Sequence, residues 1–396
     1  MSDLNTLDGA YFGKLQAALN AAAIAQPTLI IDRARLDANI ETFIGHLPEG
    51  MGYRIVAKSL PSLPLLSHIR SKTGTDRLMT FNLAMLLEIA REMPDAHQLL
   101  GKPLPVAAAR KFYAEAPAGA RVQWLVDTPE RLAQYMALAD ELSLPMDVVL
   151  ELDVGLHRGG FAADETLKAA ADALRASNTA RFAGLMGYEP HIAKMPQKHG
   201  LRDKAVDSAW EIYRRARVLT DCSNNTGAAQ SLTLNTAGSP TYRLYTDTSL
   251  ANEVSAGSIL VKPTDFDTDM LEAHVPASFI ATPALKVLDG INVAGFDLMP
   301  GREPEMPDGH AKTVYTFGGN WMAKPVWPEG LLVNEKYGRS SNQQMMTGPA
   351  DLALKPDDFV FFRPTQSEAV LLQFGDIAVY EDGAIVDTWP VFGASA

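Results

Sequence analysis

The strongest constraint on the fold is an alternation of short apolar runs with longer amphipathic segments. Each run is as long as a buried strand, and the segments between the runs have the apolar spacing of a helix. The eight runs are Thr28–Ile31, Tyr53–Ala57, Arg77–Thr80, Gln98–Gly101, Val122–Val126, Met146–Leu152, Phe182–Gly187 and Ser231–Asn235. Eight strands that alternate with helices predict an α/β fold with a TIM-type (β/α)8 barrel. An open doubly wound sheet is the main alternative, and it is disfavoured because no G-x-G-x-x-G follows an early strand.

The two ends of the chain differ from this pattern. Residues 9–24 are rich in Ala and Leu and predict an N-terminal helix that ends before Pro27. After about residue 265 the helical periodicity fades, and Pro, Gly and Asp separate β-rich runs such as DDFVFFRP and IVDTWPVF. We therefore expect two domains, a barrel over residues 1–264 and a mainly β domain over residues 265–396.

Charge and cysteine content restrict the partners and the compartment. The net charge is -12 and no basic patch stands out, which disfavours binding to nucleic acid or to an anionic membrane. No apolar stretch is long enough to span a bilayer, and the first residues lack the apolar core of a secretory signal. The single cysteine, Cys222, cannot form an internal disulfide. Together these features predict a cytoplasmic protein.

Polar residues follow several of the predicted strands, at the ends where such a barrel carries its active site. Lys58 follows the second run, His157 and Arg158 follow the sixth, and Tyr188 and His191 follow the seventh. A lysine in this position is either a snorkelling side chain or a desolvated amine that can form a Schiff base. Arg158 is either a surface ion-pair partner or a fixed cation beside an anionic oxygen.

Two turns of small residues, NTAGSP and SAGS, follow the last predicted strand. Such turns can gather backbone N–H groups and hydroxyls around an anion, although most of them are turns only. Combined with a lysine and an arginine at other strand ends, they predict a phosphate site opposite a reactive amine.

Taken together, these segments resemble the alanine racemase-type (fold type III) enzymes that use pyridoxal 5'-phosphate (PLP). They are most similar to the D-threonine aldolase and D-serine dehydratase branch, over nearly the whole chain. RIVAKS places Lys58 on the Schiff-base lysine of the family. ELDVGLHRGGF places Arg158 beside the phenolic oxygen of PLP, and GLMGYEPH places Tyr188 and His191 near the substrate. NTAGSPTY and EVSAGSIL are similar to the phosphate loops, which implies phosphate contacts from Thr236, Gly238, Ser239, Gly257 and Ser258.

The chain departs from its relatives at two places. Alanine racemases bring an arginine to the pyridine nitrogen, and the matching position here is Ser255. The branch holds a metal near PLP, whereas the matching segment RPTQSEAV offers Gln366 and Glu368, and an upstream Ser-Glu-Glu-His stretch is replaced by residues 341–344, Ser-Asn-Gln-Gln. Amide oxygens are weak neutral ligands, so any remaining metal is expected to be a hard ion such as Mg²⁺ or Mn²⁺.

The resemblance implies a PLP-dependent lyase that acts on a D-configured β-hydroxy amino acid as its small-molecule substrate. Retro-aldol cleavage is favoured over dehydration, because dehydration loses the Lewis acid that helps hydroxide to leave. Lys58 would carry PLP and act as a base, with His191 or Tyr188 as the second acid–base group. A metal-independent amino-acid racemase and a non-catalytic PLP-binding protein are the alternatives, and the β domain disfavours the second. Family analogy also implies a homodimer.

Overall fold

The computed structural model describes residues 4, 6–222 and 232–393. In chain order its strands are β1 (Thr28–Asp32), β2 (Gly52–Val56), β3 (Arg77–Thr80), β4 (His97–Leu100), β5 (Arg121–Val126), β6 (Met146–Leu152), β7 (Ala180–Gly187), β8 (Thr233–Thr236), β9 (Glu253–Ala256), β10 (Ser278–Asp289), β11 (His310–Phe317), β12 (Ala323–Trp327), β13 (Leu332–Val333), β14 (Gln343–Pro349), β15 (Phe359–Pro364), β16 (Ile377–Glu381) and β17 (Ala384–Trp389). Its α-helices are α1 (Gly9–Ala21), α2 (Arg33–His46), α3 (Leu63–Thr73), α4 (Leu83–Glu92), α5 (Val106–Glu115), α6 (Pro129–Leu142), α7 (Asp164–Ala176), α8 (His191–Lys194) and α9 (Leu201–Leu219). In these ranges no helix is long and apolar enough to cross a membrane.

The chain divides into two compact units. The barrel unit comprises Ile40–Ile259, Thr268–Glu272 and Phe392–Ala396. The β unit comprises Met1–Asn39, Leu260–Asp267 and Ala273–Val391.

In the barrel unit, the eight strands β2 to β9 of the described chain close into a parallel barrel. Each strand pairs with the next, and β9 returns to pair with β2, with Glu253 opposite Gly52. The strand interiors are almost completely buried, as expected when helices cover the outside of a parallel sheet. The structure thus confirms the TIM-type barrel.

Local sequence signals explain where the barrel helices begin and end. Thr128 caps α6, because its hydroxyl oxygen accepts the backbone N–H of Arg131 at 3.2 Å, and Pro129 occupies the first turn. Asn82 caps α4 in the same way, because its side-chain oxygen accepts the backbone N–H of Met85 at 2.8 Å. These caps place each helix start just beyond a strand end, which leaves the strand ends open for functional side chains.

One strand assignment from the sequence is wrong. The run at Thr28–Ile31 does not enter the barrel, because β1 pairs antiparallel with β10 and parallel with β16. The eighth barrel strand is β9, which alternates polar and apolar residues and therefore does not have the appearance of an apolar run. Its Glu253 is tolerated inside the barrel because Arg54 pairs with it. Ser231, which begins the predicted last run, lies outside the described residues.

In the β unit, a nine-stranded sheet has the main order β13-β14-β11-β10-β1-β16-β17, and β15 pairs with both β10 and β12. The pairings are antiparallel except for β1 with β16. Helix α1 packs Phe12, Leu15 and Leu19 into the same core as Phe279 and Phe361. The structure confirms a mainly β C-terminal region, to which the N-terminal helix and first strand are added.

Candidate active site

Lys58 lies at the carboxyl end of β2, in the short 3-10 turn Ala57–Ser59. Its side chain is partly buried, and its Nζ is 4.7 Å from the centroid of the Phe81 ring. An ammonium over an aromatic face is held by the ring quadrupole. The predicted reactive amine is therefore at the barrel mouth, on the side where this fold carries its chemistry.

Arg158 lies in the loop after β6, and Asp153 shapes that loop. The Oδ1 atom of Asp153 accepts the N–H groups of Gly155 at 3.1 Å and of His157 at 2.9 Å. Burial alone would raise the pKa of Asp153, but the hydrogen bonds from His157 and Gly155 outweigh it and lower that pKa. The Arg158 guanidinium carbon lies 5.3 Å from the centroid of the Tyr188 ring and is exposed, which leaves the guanidinium accessible to a ligand.

His191 begins α8, just after β7. Its Nδ1 is buried and has no hydrogen-bond partner among the described residues. Burial lowers the pKa of His191, the nearby His157 lowers it further, and Asp153 opposes both effects. The imidazole is therefore neutral near pH 7 and can accept a proton.

The two predicted phosphate loops are joined through Ser239. Its Oγ accepts the N–H of Gly257 at 3.0 Å and the N–H of Ile259 at 3.2 Å. A hydroxyl oxygen that accepts two hydrogen bonds keeps its own hydrogen for another acceptor. Ser258 ties the second loop to the lysine turn, because its Oγ lies 3.0 Å from the Oγ of Ser59.

Two positions in these loops must be glycine, because the loop backbone there lies too close to a neighbouring atom to leave room for a Cβ. A Cβ on Gly257 would lie 2.7 Å from the carbonyl oxygen of Val56, at the end of the strand that carries the lysine. A Cβ on Gly238 would lie 2.4 Å from Cε2 of Tyr188. The loops thus reach the lysine turn and the tyrosine only because these positions lack side chains. Thr236 is buried and donates from Oγ1 to the hydroxyl of Tyr245 at 2.7 Å.

The structure adds Glu189, which the sequence analysis did not single out. Its Oε1 accepts the Thr241 hydroxyl at 2.7 Å, and Thr241 Oγ1 accepts the N–H of Gly238 at 3.2 Å. Burial raises the pKa of Glu189 to about 7, partly offset by hydrogen bonds from Thr241 and Tyr245. Glu189 lies between the candidates Tyr188 and His191 in GYEPH, and this position is the sequence signal that could have identified it.

A second missed carboxyl is Glu151, near the end of β6. It lies on the same face of the strand as Asp147 and Val149, because side chains alternate along a strand. Burial raises its pKa to about 7, while the charge of Arg158 lowers it. It stands seven residues before Arg158, at the start of the segment ELDVGLHRGGF, in which the sequence analysis considered only the residues that follow the strand.

Ser255 lies on β9 and is buried inside the barrel unit. Its Oγ is 2.8 Å from Nδ2 of Asn235 on the neighbouring strand β8. Lys58, Arg158, Tyr188, His191 and the phosphate-loop residues are thus all carried at or near the carboxyl ends of barrel strands, as the sequence predicts.

The predicted metal ligands are in the β unit. Gln366 and Glu368 follow β15, where Gln366 Nε2 donates to Asp265 Oδ2 at 3.0 Å and Ser367 Oγ donates to Glu368 Oε2 at 3.1 Å. Upstream, Gln344 Oε1 accepts the N–H of Asn320 at 2.7 Å. Within residues 4, 6–222 and 232–393, no three His, Cys, Asp or Glu side chains form a group that could hold a metal ion. A metal at Gln366 and Glu368 stays a prediction.

Comparison with known proteins assigns the family. The model of the alanine racemase N-terminal domain matches residues 31–265, which is more than half of the chain. The chain therefore belongs to this family, whose members are fold type III PLP enzymes. A search of curated proteins finds no match.

Solved structures support the same fold at low sequence identity. D-threonine aldolase from Filomicrobium marinum is similar with a TM-score of 0.72 and 16% identity, over 94% of this chain and 95% of that one. D-threo-3-hydroxyaspartate dehydratase from Delftia sp. HT23 has a TM-score of 0.70 and 16% identity, over 100% of both chains. Alanine racemase from Bacillus anthracis has a TM-score of 0.66 and 15% identity, over 92% of this chain and 98% of that one. Both lyases and a racemase thus share the architecture.

The residues at the barrel mouth fit PLP. A partly buried amine stands at one strand end, and two glycine-dependent loops with a spare hydroxyl hydrogen at Ser239 stand at two others. Backbone N–H groups and hydroxyls of this kind suit a phosphate, and an exposed guanidinium suits a phenolate oxygen.

Proposed function

We propose that the chain is a PLP-dependent lyase that cleaves a D-configured β-hydroxy amino acid by a retro-aldol reaction. The observation that carries this proposal is His191, whose partly buried imidazole has a lowered pKa and a buried Nδ1 without a partner among the described residues. Retro-aldol cleavage needs a base for the β-hydroxyl proton, and a neutral imidazole at the barrel mouth meets that need.

Each candidate residue has a role in holding PLP. Bound PLP supplies an electron sink for the bond that breaks at the α-carbon of the substrate. Lys58 would hold its aldehyde carbon, and Arg158 would donate hydrogen bonds to its phenolic oxygen. Thr236, Gly238, Ser239, Gly257 and Ser258 would surround its phosphate, and Ser239, whose oxygen accepts two backbone N–H groups, would donate its hydrogen to it.

His191 and Lys58 divide the proton transfers in this proposal. His191 takes the proton of the β-hydroxyl as the bond between the α- and β-carbons breaks. Lys58 returns a proton to the α-carbon, so that glycine and an aldehyde leave. Tyr188, which packs against Arg158, contributes a hydroxyl beside the substrate. Any metal at Gln366 and Glu368 would be Mg²⁺ or Mn²⁺, since amide and carboxylate oxygens suit hard ions.

The second candidate is a metal-independent amino-acid racemase. The similarity to the alanine racemase of Bacillus anthracis supports it, because the same architecture serves that reaction. In this alternative, His191 or Tyr188 is the second base, opposite Lys58. A non-catalytic PLP-binding protein is the third alternative.

The reaction class is tested by product analysis. The PLP-loaded protein is incubated with D-threonine, D-serine and D-3-hydroxyaspartate, with and without EDTA, and products are identified by mass spectrometry. Glycine plus an aldehyde supports the proposal. Keto acid and ammonia would instead show a dehydratase, and loss of that activity in EDTA would indicate a metal.

The alternatives are separated in deuterium oxide. Deuterium at the α-carbon of intact substrate, without cleavage, would show a racemase. Saturable PLP binding with no turnover across D- and L-amino acids would show a carrier. We also propose a homodimer in the cytoplasm, the first on family analogy and the second from the lone, buried Cys222. Light scattering of the purified protein tests the dimer, and fractionation of the source cells tests the location.

A further inference from the structure

We propose that a cavity at the amino-terminal end of the barrel binds a small anion with two or more phosphate or carboxylate groups. The cavity has a volume of about 710 Å³. Small-molecule sites usually measure roughly 300–1,000 Å³, so a ligand of metabolite size fits. Lys58 lies at the opposite, carboxyl end of the strands. The cavity is therefore separate from the candidate active site, and this proposal does not depend on the proposed function.

The cavity is lined by the first residues of the barrel strands from β2 to β8. Arg77, His97 and Arg121 begin β3, β4 and β5. They lie side by side, because Arg77 is in register with His97 and His97 is in register with Arg121. On the next strands, Asp147 of β6 is in register with Arg181 of β7. Three arginines on alternate strands thus surround one opening.

Arg77 brings a positive charge that its buried partner does not fully neutralise. The carboxylate of Glu253 is completely buried and already pairs with Arg54, which is completely buried as well. Nη1 of Arg77 lies 2.8 Å from the second oxygen of the same carboxylate, while the Arg77 side chain is 38% exposed. One carboxylate therefore faces two guanidinium groups, and the exposed one can bind a further anion.

Arg121 and Arg181 pair with carboxylates that an anion can replace. Arg121 Nη1 is 3.2 Å from Asp76 Oδ2, and Arg181 Nη2 is 2.8 Å from Asp147 Oδ1. The two arginine side chains are 54% and 49% exposed. Exposed ion pairs contribute little to stability, so these contacts exchange easily. Each guanidinium has five N–H donors in a planar fork, which suits phosphate and carboxylate oxygens.

His97 shows that positive charge predominates between these arginines. Its pKa is lowered to about 4, mainly by burial and then by the charges of Arg54 and Arg121. Arg77 acts in the same direction, and Glu253 opposes it. The imidazole is therefore neutral at pH 7. Its Nδ1 lies 3.2 Å from Nη2 of Arg54, which can only donate, so the hydrogen of the imidazole is on Nε2 and is a further donor.

The spacing of the arginines indicates an anion with more than one charged group. Neighbouring strands lie about 4.8 Å apart, so side chains on alternate strands start about 10 Å apart. A single phosphate or carboxylate does not span that distance, whereas a molecule with two or three such groups does. Cations outnumber anions here in a chain with a net charge of -12. A local excess of positive charge of this kind concentrates anionic ligands.

The test is isothermal titration calorimetry of the PLP-loaded protein, dialysed free of unbound PLP, with pyrophosphate and with citrate at constant ionic strength. We expect saturable binding of at least one of the two. Pyrophosphate alone would assign a phosphate ligand, citrate alone would assign a carboxylate ligand, and binding of both would support the shared anionic chemistry. If neither binds, the proposal is overturned.

Variants on the two sides of the ion pairs locate the binding site. Arg121→Gln and Arg181→Gln should each raise the Kd about 10-fold or more, because a hydrogen-bonded charge pair is lost. Asp76→Asn and Asp147→Asn should each lower the Kd about 2- to 5-fold, because a competing carboxylate is removed. The second pair of variants tests the proposal even if an arginine variant does not fold.

Arg110→Gln is the matched control. Arg110 on α5 pairs with Glu141 at 2.6 Å and is 47% exposed, outside the cavity. This variant loses the same charge and should keep the Kd of the unaltered protein. An unchanged Kd in Arg121→Gln and Arg181→Gln would place the anion elsewhere and overturn the proposal. Equal weakening in Arg110→Gln would show a general effect of net charge and would overturn it too.

Discussion

At the scale of single residues, burial shifts the pKa values of several titratable groups in the barrel unit, whereas one buried carboxylate stays ionised. Burial lowers the pKa of His191 and raises the pKa of Glu189 and Glu151 to about 7. The deeper Glu253 stays ionised because two guanidinium groups face it. Burial alone would raise the pKa of all three carboxyls, and only the guanidinium partners of Glu253 turn that rise into a fall.

Replacing Lys58 tests the residue on which every version of the function depends. Lys58→Ala should abolish borohydride trapping of PLP and reduce turnover by about 100-fold or more, because both the covalent attachment and a proton transfer are lost. Lys58→Arg is the control, since it keeps the cation near Phe81 but not the nucleophile. Turnover that survives in Lys58→Ala would refute the proposed function.

Replacing Ser239 tests the phosphate site. Ser239→Ala should raise the Kd for PLP by about 10- to 100-fold, as expected for a hydrogen bond to a charged group of roughly 1.5–3 kcal/mol. The affinity is measured by fluorescence titration, with Ser249→Ala in the barrel unit as the control. An unchanged Kd would mean that the hydroxyl does not reach the phosphate.

The pH profile tests His191 as the base. A base must be neutral, so kcat/KM should fall at low pH, as His191 becomes protonated. Because burial lowers its pKa from 6.5, the fall should lie below pH 6.5. His157→Gln removes a charge that lowers this pKa, so the fall should move to higher pH. His191→Gln should abolish this fall of kcat/KM at low pH. A fall that persists in the His191→Gln variant would belong to another titratable group.

At the scale of elements, the loops after the barrel strands depend on backbone that only glycine can provide. Gly160 has φ of +105°, and a Cβ there would lie 2.5 Å from the backbone nitrogen of Asp153. This close return brings Phe161 back to β6, where its N–H bonds the carbonyl of Glu151 at 2.8 Å. The loop that carries Arg158 is thus held at its two ends by a backbone hydrogen bond as well as by the Asp153 side chain.

Replacing this glycine should disturb the loop selectively. Gly160→Ala should destabilise the protein by about 1–3 kcal/mol, because the strained φ and the backbone clash cannot be relieved by a side-chain movement. Gly159→Ala is the matched control, since its Cβ would meet only the Asp127 carboxylate at 3.1 Å. Urea denaturation gives both values, and equal losses would contradict this account.

At the scale of the whole molecule, a buried salt bridge joins Glu253 to Arg54 and Arg77 inside the barrel, and removing Glu253 would leave the buried charge of Arg54 unpaired. Glu253 accepts from Arg54, Arg77 and Asn235, on strands β2, β3 and β8. Its carboxylate therefore links four strands of the closed barrel, since Glu253 itself lies on β9. An ion pair of this kind is costly to break, because the remaining partner keeps a buried charge.

Glu253→Gln should lower the free energy of unfolding by about 3–5 kcal/mol at pH 7. The pKa of Glu253 is lowered in the folded state, so its contribution is present above the unfolded-state pKa and is lost as pH falls through the folded-state pKa. The variant and the unaltered protein should therefore converge in Tm at acidic pH. A constant difference across pH would show that packing, and not charge, is responsible.

Much of this organisation could be predicted from sequence. The period of the apolar runs is a local property, so seven of the eight barrel strands were found, and short motifs at strand ends marked Lys58, Arg158, Tyr188 and His191. Strand β9 was missed because its inward side chains, Glu253 and Ser255, are polar. A polar residue is compatible with a barrel interior only through a partner that is distant in sequence, and 199 residues separate Glu253 from Arg54.

The sequence by itself determined the alternation that builds the barrel, the β-rich C-terminal region and the candidate groups at the strand ends, because these depend on periodicity and on neighbouring residues. Only the tertiary structure decided that β1 pairs with β10 and β16 in the β unit, that Glu189 accepts the Thr241 hydroxyl beside the first loop, and that Asn235 bonds to Ser255. Strand pairing and buried hydrogen bonds join residues far apart in the chain, and their energies depend on burial, which a linear pattern does not specify.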